Sequence, residues 1–169
     1  MERNQVVLVD TNIIIEAIRI HCWATLTGFF RLETVEKCRE ETQTGYAYRP
    51  GYISVQEKDL QNRLVVHLVS DEALARLTLA DPDSALLDPG ERHLWAHALG
   101  RADTWLACSA DAAAVRIAVR LGWEDRLVSL EQLLEACAAR SSAKNLNRQF
   151  RSKQLSKWRT AALLDRGLA

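Results

Sequence analysis

The sequence predicts an α/β fold, a three-layer α/β/α sandwich around a central parallel sheet. Three observations predict it. Short apolar runs of strand character alternate with helical stretches along the chain, an order that right-handed crossovers turn into a parallel sheet covered on both faces. The first run, Val6-Val7-Leu8-Val9, is apolar throughout, as a strand buried on both faces must be. Acidic residues stand directly after two strand candidates, Asp10 and Asp111, and open α/β sheets collect ligands at the carboxyl ends of their strands.

The elements follow in order. Asp10-Thr11-Asn12 leaves the first strand, and Ile13 to Ile20 reads as a helix. Phe29 to Leu32 is a weaker strand candidate, and Val35 to Thr42 is helical and heavily charged, with Val35 and Cys38 on one face. Gly45 to Ile53 holds Gly45, Pro50, Gly51 and the tyrosines Tyr46, Tyr48 and Tyr52, the composition of an exposed loop. Leu64 to Val69 is a strand, after which Ser70 is placed to cap a helix over 71–79. Asp81-Pro82-Asp83 then breaks the chain.

Asp88-Pro89-Gly90-Glu91 opens the next helix by three criteria: a capping Asp, Pro at the first helical position, and Glu three residues after the cap. That helix runs to Leu99 and stops at Gly100. Thr104 to Cys108 is a strand, Ala112 to Leu121 a helix ended by Gly122, and Val128 marks a last short strand before a helix from Glu131 to Arg140.

A chain of 169 residues is long enough to bury a real core. We divide it into an α/β domain, 1–140, and a basic C-terminal extension, 141–169, either an appended helix or a flexible arm. A formal net charge of zero conceals this division. The extension carries Lys144, Arg148, Arg151, Lys153, Lys157, Arg159 and Arg166 against Asp165, a net +6, and the other 140 residues carry −6. A basic tail on an acidic body suits a polyanion or an acidic partner. No apolar run approaches the roughly 20 residues that span a bilayer. The first residues lead into a strand rather than a signal peptide, so the expected location is cytoplasmic, with no membrane partner.

The cysteines lack any C-x-x-C pairing and read as buried free thiols. His93 and His97 stand four apart on a helix, but Leu94-Trp95-Ala96 between them lacks the glutamate of a zinc-protease helix.

The candidate chemistry lies in four acids far apart in sequence, Asp10, Glu41, Glu91 and Asp111. Carboxylates that converge repel one another, so a cluster of them calls for a divalent cation. Each also has a structural alternative: Asp10 and Asp111 as helix caps, Glu91 as a capping-box partner, and Glu41 as one of several charges on a solvated helix face. Glu40 is its rival for the inward position. Asn12 is a candidate orienting partner for Asp10.

Taken together, Val7-Leu8-Val9-Asp10-Thr11-Asn12, Gly90-Glu91 opening a helix, and Asp111 through Arg120-Leu121-Gly122 resemble the ordered acidic motifs of PIN-domain ribonucleases over roughly residues 5–137. The resemblance implies a PIN-like parallel sheet of four to five strands. It also implies a metal-dependent endoribonuclease with Asp10, Glu41, Glu91 and Asp111 as catalytic acids and Asp10, Glu91 and Asp111 holding Mg²⁺ or Mn²⁺. Many such proteins are toxins checked by an antitoxin protein, and a homodimer is the expected assembly.

The ion would activate water and offset charge on the scissile phosphate. An acidic site repels RNA, so basic side chains must attract it. The candidates are Arg92, Arg101, Arg116, Lys144, Arg148, Arg151 and Lys153, with Tyr46, Tyr48 and Tyr52 placed to stack unpaired bases. A phosphoacceptor domain of the response-regulator type expects paired acids at the first strand and a late lysine, whereas this chain has Asp10 alone and no lysine between Lys58 and Lys144. A haloacid-dehalogenase-type phosphatase expects D-x-D where Asp10-Thr11-Asn12 stands. The remaining alternative is a non-catalytic PIN-like scaffold that binds RNA or a protein.

Overall fold

The computed structural model describes residues 1–44, 55, 60 and 63–167. Four strands, β1 (Val6–Val9), β2 (Arg31–Val35), β3 (Val65–His67) and β4 (Trp105–Cys108), form one sheet in the order β3-β2-β1-β4. Every neighbouring pair is parallel, with Val6 opposite both Arg31 and Trp105. Where the sequence predicts a last strand at Val128, Leu127 makes an isolated parallel bridge to Ala107. The tyrosine loop predicted over 45–53 lies outside the described residues.

The described helices include α1 (Thr11–Arg19), α2 (Trp23–Phe29), α3 (Glu36–Thr44), α4 (Asp71–Ala80), α5 (Pro89–Leu99), α6 (Ala112–Arg120), α7 (Leu130–Ala136), α8 (Arg140–Ala143) and α9 (Ser152–Gly167). Alternation along the strands sorts the apolar side chains onto two faces. Val7 and Val9 join Ile13 and Ile14 of α1, Leu26 of α2 and Leu133 of α7 in one core. Leu8 joins Cys38 of α3, Leu94 and Trp95 of α5 and Val115 of α6 in the other. A sheet between two such cores is compatible with the three-layer sandwich. Each fully buried Leu or Ile contributes about 1.5–3 kcal/mol.

Boundaries shift where backbone geometry decides. Phe29 closes α2 and Val35 completes β2, so the strand lies a few residues later than the aromatic pair suggests. Helix α7 stops at Ala136 rather than Arg140, because Ala138 adopts a left-handed φ of 58° that a helix cannot propagate. The thiols are free, with Cys22, Cys38 and Cys108 buried.

The basic extension is a packed part of the body. Leu146 and Phe150 lie in the first core, and Leu155 and Ala162 of α9 in the second. Buried Glu16 of α1 accepts the Asn147 N–H at 2.9 Å, and Glu131 of α7 accepts the Ser152 N–H and hydroxyl at 2.9 and 2.6 Å. Within the extension, Ser152–Gly167 form helix α9.

Candidate metal centre

Strand order places the site. The chain steps outward from β1 to β2 to β3 and then crosses to the other side of β1 for β4. Helix α1 therefore leaves β1 into one core and α6 leaves β4 into the other. The crevice between two such departures is the place where open α/β sheets bind ligands. Asp10 and Asp111 are its first residues.

Both acids cap the helix they precede. Asp10, 1% exposed, accepts the Ile13 N–H at 2.8 Å through Oδ1. Asp111 accepts the Ala113 and Ala114 N–H groups at 2.6 and 2.9 Å, also through Oδ1. Capping and ligand duty are thus compatible, because each leaves Oδ2 outside the helix. Asp10 Oδ2 takes a long contact, 3.4 Å, from the Ala110 N–H. The Ser109 hydroxyl donates to Asp10 and accepts from the Asp111 N–H, joining the two caps.

Glu41 and Glu91 reach the crevice from α3 and α5. The Thr11 hydroxyl donates to Glu41 Oε2 at 2.7 Å, and the Gly90 N–H donates to Glu41 Oε1 at 2.8 Å. A Cβ on Gly90 would collide with the Glu41 carboxylate, so this approach requires glycine. Asp88 occupies the cap position of α5 but makes no side-chain cap bond. The predicted capping box is therefore absent; Glu41, from another helix, satisfies the Gly90 N–H instead. Hydrogen bonds thus run through Ala110 to Asp10, from Thr11 to Glu41, and from Gly90 to Glu41, linking the chain neighbours of all four acids.

Glu91 is 8% exposed and hydrogen-bonds to no donor among the described residues. Burial first, then the charges of Asp111, Asp10, Asp88 and Glu41, push its carboxyl up to about 9. Asp10 rises to about 6, chiefly by burial, with the Asp111 charge adding and the hydrogen bonds from Ser109, Ile13 and Ala110 opposing. Hard oxygen donors with free lone pairs and no cationic neighbour suit Mg²⁺ or Mn²⁺. Asp10, Glu91 and Asp111 could offer such donors, being paired with no basic side chain among the described residues, although their ligand atoms do not gather within 4.8 Å of one another. Glu41 has both oxygens engaged, by the Thr11 hydroxyl and the Gly90 N–H, and so has less capacity left for a cation.

Glu40 is exposed and pairs with Lys37 at 3.0 Å, leaving Glu41 as the inward acid. Asn12 is exposed in the first turn of α1, and its side chain hydrogen-bonds none of the four acids. The basic candidates separate. Arg92 donates to Thr78 at 3.1 Å, and Arg116 is exposed beside Asp165. Lys144 is exposed. Arg148, Arg151, Lys153 and Lys157 line a cavity of about 390 Å³, although Arg151 is also tied to Glu131 and to the carbonyls of Lys144 and Leu146.

Sequence reasoning missed a second polar group. Fully buried Glu33 of β2 lies 2.8 Å from His67 Nε2 and 2.5 Å from Arg101 Nη1, and Arg101 Nη1 lies 2.9 Å from His97 Nε2. Burial alone would raise the Glu33 carboxyl, but hydrogen bonds from Arg101 and His67 and the charges of Arg101 and Arg31 hold it below the ordinary value. Burial, then the charges of His67 and Arg101, lower His97 to about 4. An acid inside Arg31-Leu32-Glu33-Thr34-Val35 was the available signal. The helical partner of His97 is Arg101, four residues on, rather than His93, which bonds the Pro89 carbonyl.

Comparison with models of known protein families, with curated proteins and with solved structures finds no match. Among the described residues, no helix is long and apolar enough to cross a membrane.

Proposed function

We propose that this chain is a metal-dependent endoribonuclease of the PIN type, cutting RNA phosphodiester bonds at the crevice formed by Asp10, Glu41, Glu91 and Asp111. One observation supports the reading: the charges of Asp111, Asp10 and Glu41, from separate segments, act on buried Glu91 beside the β1/β4 switch point, and no basic side chain among the described residues pairs with Asp10, Glu91 or Asp111. A Mg²⁺-class ion held by these three would supply Lewis acidity, activating water and offsetting charge on the phosphoryl oxygens. The chain's own residues fix the donors. The caps orient Asp10 and Asp111, while Thr11 and Gly90 pin Glu41, which holds the start of α5 and so Glu91.

RNA would be attracted by Arg148, Lys153 and Lys157 along the α9 groove, giving salt-sensitive and largely sequence-independent affinity. The test is cleavage of a labelled single-stranded RNA with Mg²⁺, Mn²⁺ or EDTA, comparing wild type with Asp10→Asn. Asn retains an Oδ1 for the Ile13 N–H, so the fold persists while cleavage is lost. Asp10→Asn protein that cuts as fast as wild type rules the site out. Salt-sensitive binding without cleavage in wild type favours the non-catalytic scaffold.

A further inference from the structure

The second polar group lies on the α5 side of the sheet, where β2 meets β3. The Glu33 and His67 side chains share that face, since Glu33 pairs with Val65 and Val35 with His67 in parallel register. The His67 and His97 rings stack with centroids 4.2 Å apart and planes 22° apart. Their Nε2 atoms turn to the same place, one to Glu33 Oε2 and the other to the Arg101 Nη1 that also touches Glu33 Oε2. These three ligand atoms lie within 4.8 Å of one another, a closeness that the acidic crevice does not reach.

A buried Glu–Arg pair is sufficient to neutralise itself and does not require two stacked imidazoles, one on the carboxylate and the other on the guanidinium beside it. Glu33 Oε1, fully buried, has no hydrogen-bond partner among the described residues, although Arg31 Nε is 2.8 Å away. His97 and Arg101 also line a cavity of about 260 Å³ with Ser70, Ala73 and Arg76, which gives the group an opening. Arg101 has a second anchor ready, since Asp103 takes its Nε at 2.9 Å and its Nη2 at 2.5 Å.

We propose that Glu33, His67 and His97 form a site for a borderline divalent cation of the zinc class, and that Arg101 is the exchangeable cation that closes it. Two imidazole nitrogens and one carboxylate oxygen are a donor set for Zn²⁺, Co²⁺ or Fe²⁺ rather than for Mg²⁺. Binding moves Nη1 of Arg101 off Glu33 while its other nitrogens stay on Asp103. It also requires the His67 ring proton to sit on Nδ1, so that Nε2 can offer its lone pair. Metal bonds of about 2.0–2.1 Å set the spacing of the donors, so His67 Nε2 and Glu33 Oε2, now 2.8 Å apart, open slightly and the His97 ring adjusts to complete the set. The fourth position faces the cavity.

The experiment titrates the full chain with Co²⁺, read by its visible ligand-field absorption, and with Zn²⁺, read by calorimetry and competition. The expected result is one tight site with a tetrahedral cobalt spectrum. His67→Ala and His97→Ala each weaken it on the order of 10–100-fold, whereas His93→Ala and Asp10→Asn leave it unchanged. Arg101→Ala, by removing the competing cation, tightens it by at least about tenfold, a 1.4 kcal/mol gain. If Arg101→Ala is unfolded alone, refolding on addition of Zn²⁺ is the equivalent result. No site in wild type, binding that survives both histidine variants, or an Arg101→Ala protein that binds no tighter and is not rescued by Zn²⁺ overturns the proposal. Because Asp10→Asn is the control, failure here is distinct from failure of the nuclease reading.

Discussion

Replacing Glu91 with Gln removes a group whose ionisation the fold suppresses. In the folded protein this carboxyl titrates at about 9 against an ordinary 4.5. With the folded value the higher, the unfolded chain releases its proton first as pH rises. Stability is therefore lost from about pH 4.5 upward, and the loss levels off near pH 9. Between 4.5 and neutral pH it accumulates to about 3 kcal/mol. Gln keeps the shape of the neutral acid and has nothing to ionise when unfolded.

Metal-free Glu91→Gln is therefore expected to be more stable by about 3 kcal/mol near neutral pH, a rise in Tm of roughly 6–12 °C for a chain of this size. The assay is scanning calorimetry in EDTA across a pH series. The gap should close below about pH 4.5 and widen toward pH 9. Mg²⁺ should stabilise wild type, with release of a proton from Glu91, and leave the variant unmoved. Equal melting at neutral pH, or a gap that widens as pH falls, refutes the argument.

Gly90→Ala forces the Glu41 carboxylate away from the Gly90 N–H; it should cost about 1–3 kcal/mol of stability and most of the cleavage rate, measured by denaturant unfolding and RNA cleavage. Trp95→Phe removes the indole N–H that donates to the buried Ala114 carbonyl at 3.0 Å, so a loss of about 1–3 kcal/mol is expected, with the metal dependence of cleavage unchanged. Deleting the tail would strip Phe150 and Leu155 from the two cores, so its role in RNA binding is better tested by Lys153→Glu with Lys157→Glu. That pair should weaken RNA binding and lower the salt slope of log K by about 1.4, and an unchanged slope dismisses the groove.

Local signals were readable in the sequence and contacts between distant segments were not. Ser70, Asp111 and Gly122 punctuate the chain where their side chains or backbone freedom demand, with Gly122 at φ 78°. The alternation of strands and helices was sufficient for the parallel sheet. The start of α5 lies where the sequence puts it, but its capping does not, because Asp88-Pro89-Gly90-Glu91 carries every local mark of a capping box while its Gly90 N–H is claimed by Glu41, 49 positions earlier. Likewise Glu33 looked ordinary until β3 and the end of α5 brought His67, His97 and Arg101 to it. The sequence left Glu40 and Glu41 as rivals for the inward position; the Thr11 and Gly90 hydrogen bonds turn Glu41 inward.

The buried acids provide their own internal comparison. Glu16 lies against Arg19 at 2.6 Å, Glu33 against Arg101 at 2.5 Å, and Asp81 against Arg120 at 2.7 Å. Asp10 and Glu91 are buried like these, yet no guanidinium or ammonium among the described residues pairs with either. An uncompensated buried charge costs several kcal/mol; a guanidinium offsets that cost in three places, and in the crevice it shows instead as carboxyls raised to about 6 at Asp10 and about 9 at Glu91. Capping accounts for Asp10, whose Oδ1 holds the Ile13 N–H. It does not account for Glu91, which caps nothing and which a single change to Gln would relieve. On the proposed reading that cost disappears when a divalent cation enters, because the missing positive charge is then the ligand.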